Sequence, residues 1–262
     1  PTMPTPLVTQ HYPDDFLILN FYVNHAIVPA ANDAIPLFYA DRNIASGGSE
    51  MLITPDVVVS LRRITRDCCE RIARSAFELA MGRRRHVTIV HKANVLKIGD
   101  GMFIEMCHAV AREFPDVQVD DVIVDAMMAH VVRAPHRYDV IVTTNMFGDI
   151  LSNQALALSG GLGLACSLNR GATHAVANAG HGSAPDIAGR GIANPVGMIL
   201  SSAMLIDHLG VKHSRPEFCK AATAVEAAVD AALQNSHLRT PDLGGSGGTK
   251  PFAQAVCDAI KA

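Results

Sequence analysis

Polar side chains gather just after three short apolar runs. Val87–Val90 leads into His91, Lys92, Ala93 and Asn94. Val122–Val124 leads into Asp125, and Tyr138–Thr144 leads into Asn145, Gly148 and Asp149. A core strand needs none of these groups. In open α/β sheets ligands bind outside the carboxyl ends of the strands. Asp149 and Asn153 lie four apart in a helical pattern and so share a face. With Asp125 they offer oxygen donors suited to Mg²⁺ or Mn²⁺. Taken singly, each Asp or Asn also reads as ordinary turn or capping chemistry. Their collection on three strand ends is what points to a site.

A second group is a loop of small and polar residues: His181, Gly182, Ser183, Ala184, Pro185 and Asp186. Gly189, Arg190, Gly191, Asn194 and Pro195 follow it. Small residues let the backbone approach a ligand closely. An aspartate in such a loop can accept from ribose hydroxyls and repel a 2′-phosphate, which favours NAD over NADP. Neither a G-x-G-x-x-G fingerprint nor a P-loop is present. Without a ligand, the same segment reads as a plain Gly-rich loop.

The elements around these residues alternate. Cys69, Ile72, Ala73, Ala76, Phe77 and Ala80 recur at helical spacing, which predicts a helix over 67–81, and Gly82 is placed to stop it in a left-handed turn. The runs at 87–90, 122–124 and 138–144 read as strands. Between and after them, 100–114, 126–133 and 148–158 read as helices, with Phe103, Met106, Cys107 and Val110 facing inward in the first. This is an α/β pattern with a mostly parallel core sheet. Phe16–Val23 reads as a further strand and 32–55 as loop. Residues 159–191 read as loops around a site. Asn194-Pro195 opens a buried helix to about Leu209. Residues 216–234 form an amphipathic helix, and Thr249 starts a last one with Phe252, Val256 and Ile260 on one face.

Composition bounds the possibilities. Of 262 residues, 49% are hydrophobic and 18% charged, and the formal net charge is −3. That charge gives no reason to expect nucleic acid or an anionic membrane as a partner. The one basic run, Arg83-Arg84-Arg85, reads as a solvated helix end. No apolar run reaches the length of a membrane span, and no signal peptide is visible. The 6 cysteines lack C-x-x-C spacing and read as reduced, mostly buried thiols of a cytoplasmic protein.

Several segments together resemble the isocitrate and 3-isopropylmalate dehydrogenase family of β-decarboxylating dehydrogenases. They are Glu70-Arg71-Ile72-Ala73-Arg74, His91-Lys92-Ala93-Asn94-Val95, Val124-Asp125-Ala126-Met127 and Asn145-Met146-Phe147-Gly148-Asp149-Ile150-Leu151-Ser152. Gly160-Gly161-Leu162-Gly163, His181 to Pro195 and Thr240-Pro241-Asp242-Leu243-Gly244-Gly245 continue the family order. The resemblance covers about residues 60 to 262, and 16–60 matches more loosely.

The resemblance implies a two-domain α/β fold of the isocitrate/isopropylmalate dehydrogenase type. It divides the chain into a poorly defined segment 1–19, a dimerisation and substrate/metal domain 20–160, and the C-terminal part of a cofactor domain, 161–262. The family's Gly-rich opening section lies outside these residues, so the first domain is represented in part. The implied reaction oxidises a 3-substituted malate-type 2-hydroxy acid with NAD and then releases CO₂. A divalent cation, Mg²⁺ or Mn²⁺, stabilises the enolate. Lys92 helps deprotonate the hydroxyl from the partner subunit of a homodimer. Asp125, also from the partner, and Asp149 and Asn153 hold the metal. Arg42 grips a substrate carboxylate, and Asn94 is a further substrate-binding residue. His181, Gly182, Ser183, Ala184, Pro185, Asp186 and Asn194 face the adenosine.

The chain also departs from the family. Ser49 stands where a tyrosine protonates the enolate, and a serine hydroxyl has no comparable pKa. Asn153 replaces a third metal aspartate, Asn178 an acidic residue, and Val28 a substrate-binding arginine. These changes admit an alternative: a catalytically weakened paralogue acting as a regulatory subunit or metabolite-binding protein.

Overall fold

A computed structural model describes residues 17–19, 50–60, 62, 64–171 and 174–261. The chain divides into two compact units, one within Asp14–Ile150 and one within Leu151–Ala262.

The first unit is built on a parallel sheet. Its strands are β1 (Leu17–Leu19), β4 (His86–His91), β5 (Gln118–Ile123) and β6 (Val140–Thr143), in the order β1-β6-β4-β5. All three pairings are parallel. β4 and β6 are central, and their β-branched runs Val87–Val90 and Val140–Thr143 are fully buried. Helix α1 (Arg66–Met81) starts at Thr65, whose hydroxyl accepts from the Cys68 N–H at 3.3 Å. The six apolar positions expected to face inward in α1 are all buried. They pack with Phe103, Cys107 and Val110 of α2 (Gly99–Ala111) onto Val87, Ile89, Val140 and Val142.

Two expectations here are corrected. Gly82 stays right-handed, at φ −85°. The N–H groups of Gly82, Arg83 and Arg85 bond back to Leu79 and Ala80, so the turn continues and reverses at Arg85, φ 59°. The Arg83–Arg85 run is also more than a solvated end. Arg83 Nε lies 2.9 Å from Oδ1 of Asp139, a carboxylate buried just before β6. A buried carboxylate needs such a partner.

Helix α3 (Val124–Arg133) begins one residue earlier than the strand reading allows, so Asp125 sits in its first turn and not at a strand end. The strand before it is longer than its apolar core, because β5 lies at the sheet edge and carries Gln118, Asp120 and Asp121, none of them fully buried. α4 (Asn145–Leu158) follows β6. The segment expected to be loop as far as residue 55 instead enters an antiparallel hairpin, β2 (Glu50–Thr54) and β3 (Val57–Ser60). Its side chains project outward: Leu52 is 70% and Val58 59% exposed.

The second unit holds α5 (Val196–Lys212), α6 (Pro216–Gln234) and α7 (Thr249–Lys261). Val196, Val229, Leu233, Leu243, Phe252 and Val256 form its core. Ile260, expected on the inner face of α7, is exposed. A Cβ on Gly210 would lie 2.6 Å from the Cys219 sulfur, so this glycine lets α5 and α6 approach closely. Residues 159–191 contain a second hairpin, β7 (Cys166–Arg170) with β8 (Ala175–Ala179), where loops were expected. Ser201 of α5 ties it down, accepting from the Ser167 N–H at 3.1 Å and donating to the Asn178 carbonyl at 2.8 Å.

The cysteines are all free thiols. Cys69 and Cys107 are buried, and burial pushes the Cys69 thiol up to about 11. Cys166 and Cys257 are exposed, against the expectation of mostly buried thiols. Among the described residues no helix is long and apolar enough to cross a membrane.

Candidate functional site

The first unit places Lys92 directly after β4 and Asp125 one residue into α3, directly after β5. β4 and β5 are neighbours, with His91 opposite Ile123. The two side chains therefore meet: Lys92 Nζ is 2.7 Å from Asp125 Oδ1. The ammonium holds the Asp125 carboxyl below its ordinary range. Asp125 remains largely exposed while Lys92 is about a quarter exposed, so a ligand can reach the carboxylate.

The backbone after β4 is a tight turn. The N–H groups of Val95 and Leu96 both bond to the Lys92 carbonyl, at 2.9 and 2.8 Å. Asn94 is at the exposed tip of this turn. The Lys92 N–H donates to Oδ2 of Asp100 at 2.7 Å. Asp100 is fully buried in the first turn of α2, and its other oxygen takes Arg62 Nη1 at 2.7 Å. Arg62 Nη2 donates to Thr144 Oγ1 at 2.7 Å, between β6 and α4. The guanidinium also lies over the Phe147 ring, 5.2 Å from its centroid. Sequence reasoning misses Asp100, Arg62 and Thr144. The one available signal is an aspartate at the start of a helix whose next apolar residues are buried, and that pattern also describes any favourable first turn.

Asp149 is half-buried in α4, and Asn153 is exposed four residues further along the same helix. Among the described residues, no group of three or more His, Cys, Asp or Glu side chains is placed to hold a metal ion. The oxygen donors Asp125, Asp149 and Asn153 are hard ligands of the kind Mg²⁺ and Mn²⁺ take. Arg42, Val28 and Ser49 lie outside the described residues.

In the second unit, His181, Gly182, Ser183, Ala184, Pro185 and Asp186 are all exposed. Ala184 is left-handed at φ 42°, a strained setting for a residue with a Cβ. It opens a short 3-10 turn, Pro185–Ile187, that holds Asp186 outward. A Cβ on Gly182, Gly189 or Gly191 would meet nothing within 4 Å, so the backbone of this loop borders open space. Asn194 accepts the Val196 N–H on Oδ1 at 3.0 Å from one residue ahead of the helix, so Pro195 is the cap of α5 and not its first helical residue. Its Nδ2 donates to Asp242 Oδ2 at 2.9 Å. Gly163 sits under this pair, where a Cβ would come within 2.3 Å of the Asp242 carboxylate. An open loop with an outward aspartate and a fixed amide fits an adenosine. In the sequence, Asp242 and Gly163 stand out only as parts of longer motifs.

Residues 38–260 match the family model described as isocitrate/isopropylmalate dehydrogenase. The isocitrate/homoisocitrate dehydrogenase of Thermus thermophilus is 50% identical over 207 residues, 79% of this chain and 60% of that protein. A mitochondrial regulatory subunit of NAD isocitrate dehydrogenase from Dictyostelium discoideum is 44% identical over 216 residues, 82% of this chain and 58% of its own length. Among solved structures, isocitrate dehydrogenase from Methylococcus capsulatus superposes with a TM-score of 0.75 at 43% identity, covering 82% of this chain and 63% of that one. The chain spans about three fifths of the length of these curated relatives.

Proposed function

Because this chain belongs to the isocitrate and isopropylmalate dehydrogenase family, we propose that it carries out NAD-dependent oxidative decarboxylation of a 3-substituted malate-type 2-hydroxy acid. The observation that carries this reading is the 2.7 Å contact of Lys92, just after β4, with Asp125 in the first turn of α3. In this reading Lys92 first releases its ammonium proton to water and then takes the proton of the substrate C2 hydroxyl on its neutral amine. Asp125 stays ionised against the lysine and keeps its second oxygen for other work. Arg42 grips a substrate carboxylate, and Asn94 also binds the substrate. Asp125, Asp149 and Asn153 would hold Mg²⁺ or Mn²⁺, and His181–Asp186 with Asn194 would hold the adenosine of NAD. When bound, these two groups supply a Lewis acid and a hydride acceptor. Asp186 accepts from the ribose hydroxyls and disfavours a 2′-phosphate.

The reading assigns Lys92 and Asp125 to one subunit and Asp149 to the other, so the active unit is a homodimer. The exposed apolar face of the β2–β3 hairpin supports a subunit contact. The test is NADH production by the full chain with Mg²⁺ or Mn²⁺ and a panel of 3-substituted malates. Turnover of at least one member is expected. NAD binding without any turnover would overturn the reading.

That outcome would favour the second reading, a weakened paralogue serving as a regulatory subunit or metabolite-binding protein. Asn153 is what favours it, since an amide brings no negative charge to a cation. Asn153→Asp is expected to tighten Mn²⁺ binding about tenfold, because ligand charge count sets the affinity of such sites. Titration calorimetry measures it, and an unchanged or weaker Kd would show that this side chain does not face the metal.

A further inference from the structure

Asp100 stands out as a buried charge for which the reaction has no direct use. It is fully buried, beneath the turn that presents Lys92. Two donors converge on it from different elements. The Lys92 N–H reaches Oδ2, and Arg62 Nη1 reaches Oδ1, each at 2.7 Å. Arg62 comes from the segment just after β3, and its second nitrogen holds Thr144 at the end of β6. One planar guanidinium thus joins Asp100, which holds the turn after β4, to Thr144 at the end of β6. A guanidinium fork can do this because its N–H groups are fixed in one plane, and a lysine ammonium cannot.

Burial of a carboxylate costs several kcal/mol unless its partners are well placed, and apolar replacements often stabilise such sites. Stability alone is therefore a weak reason for an ion pair here. Position is a better one. A lysine in proton transfer must be held within a fraction of an ångström of its substrate, and a 1 Å misplacement costs on the order of 100-fold in rate. Lys92 has a long, flexible side chain, so its backbone is the part that can be fixed.

We propose that Asp100, clamped by Arg62, is the positioning residue for Lys92, fixing its backbone N–H and so the point from which the lysine reaches into the site. This rests on the dehydrogenase reading for its kinetic consequence but not for its structural one. Asp100→Asn separates the two contacts, since the amide has an acceptor oxygen at only one of the two positions, and that oxygen stays with the charged Arg62 guanidinium, the stronger donor. Its NH₂ group then faces the other donor.

The experiment follows amide hydrogen exchange in the full chain, together with steady-state rates. In Asp100→Asn, the Lys92 N–H is expected to exchange about tenfold faster, the size of one lost charge-assisted hydrogen bond. Ile89, in the middle of β4, should keep its protection. kcat is expected to fall about 100-fold, with the KM for NAD within about twofold of the wild type, and Asp100→Glu should restore part of it. Arg62→Lys keeps the charge and the fold while breaking the bridge to Thr144, and should give the same pattern in milder form. Unchanged exchange at Lys92 in both variants would overturn the proposal, as would equal loss of protection at Lys92 and Ile89. If the wild type turns over no malate, the dehydrogenase reading fails, while the exchange data still decide the role of Asp100.

Discussion

Lys92→Ala is expected to lower kcat by about 1000-fold, within the 10²–10⁴ range of a positioned proton-transfer group. That corresponds to about 4 kcal/mol of transition-state stabilisation. The effect should fall on kcat and kcat/KM together, because the amine acts on the proton in flight and not on the bound ground state. Binding of NAD should be unchanged, since Lys92 is not among the residues proposed to hold it. Removing the ammonium also frees the Asp125 oxygen that it engages at 2.7 Å. The Kd for Mn²⁺ should therefore hold or tighten. Lys92→Arg should not rescue turnover, because a guanidinium keeps its proton at any working pH. Stopped-flow NADH fluorescence measures the rates. A kcat equal to that of the wild type would remove Lys92 from the mechanism.

Phe77→Ala is expected to cost about 3–5 kcal/mol of stability. Phe77 is fully buried between α1 and the sheet and stacks on Phe114 with ring centroids 5.6 Å apart. Truncation loses the transfer energy of the ring and leaves a cavity lined by groups that cannot collapse into it. At about 2–4 °C per kcal/mol for a chain of this size, Tm should fall on the order of 10 °C. Calorimetry on the full chain measures this. A shift under about 2 °C would mean that the α1–sheet contact is looser than its burial indicates.

Where the core dictates the pattern, the fold is legible from sequence. The α1 positions Cys69 to Ala80 all face inward as their 3.6-residue spacing requires. β4 and β6 are buried on both faces and read as unbroken β-branched runs. The two hairpins escape that logic. β7 and β8 consist largely of Ala, Asn and Ser, residues with little strand preference, and they are held by backbone pairing and by Ser201. β2 and β3 have no core of their own to alternate against. The site is legible in the same uneven way. Lys92 and Asp125 can be found because unneeded polar groups follow apolar runs. Asp100 and Arg62 lie 38 residues apart and meet only through the packing of other elements, so no local spacing announces them. The pairing of Asn194 with Asp242, 48 residues away, is hidden for the same reason.

The β2–β3 hairpin bears on how the chain behaves at high concentration. Leu52, Ile53, Val57, Val58 and Val59 form a short, apolar, β-prone ribbon that is exposed in the single chain. Its charged members are Glu50 and, in the turn, Asp56. Such a ribbon is a template for strand addition by any neighbour. Newly made chains would thus have two competing fates, one ordered and one not, and both speed up as concentration rises. Gatekeeping charges are the usual protection for such a segment, and here they sit only at its margins.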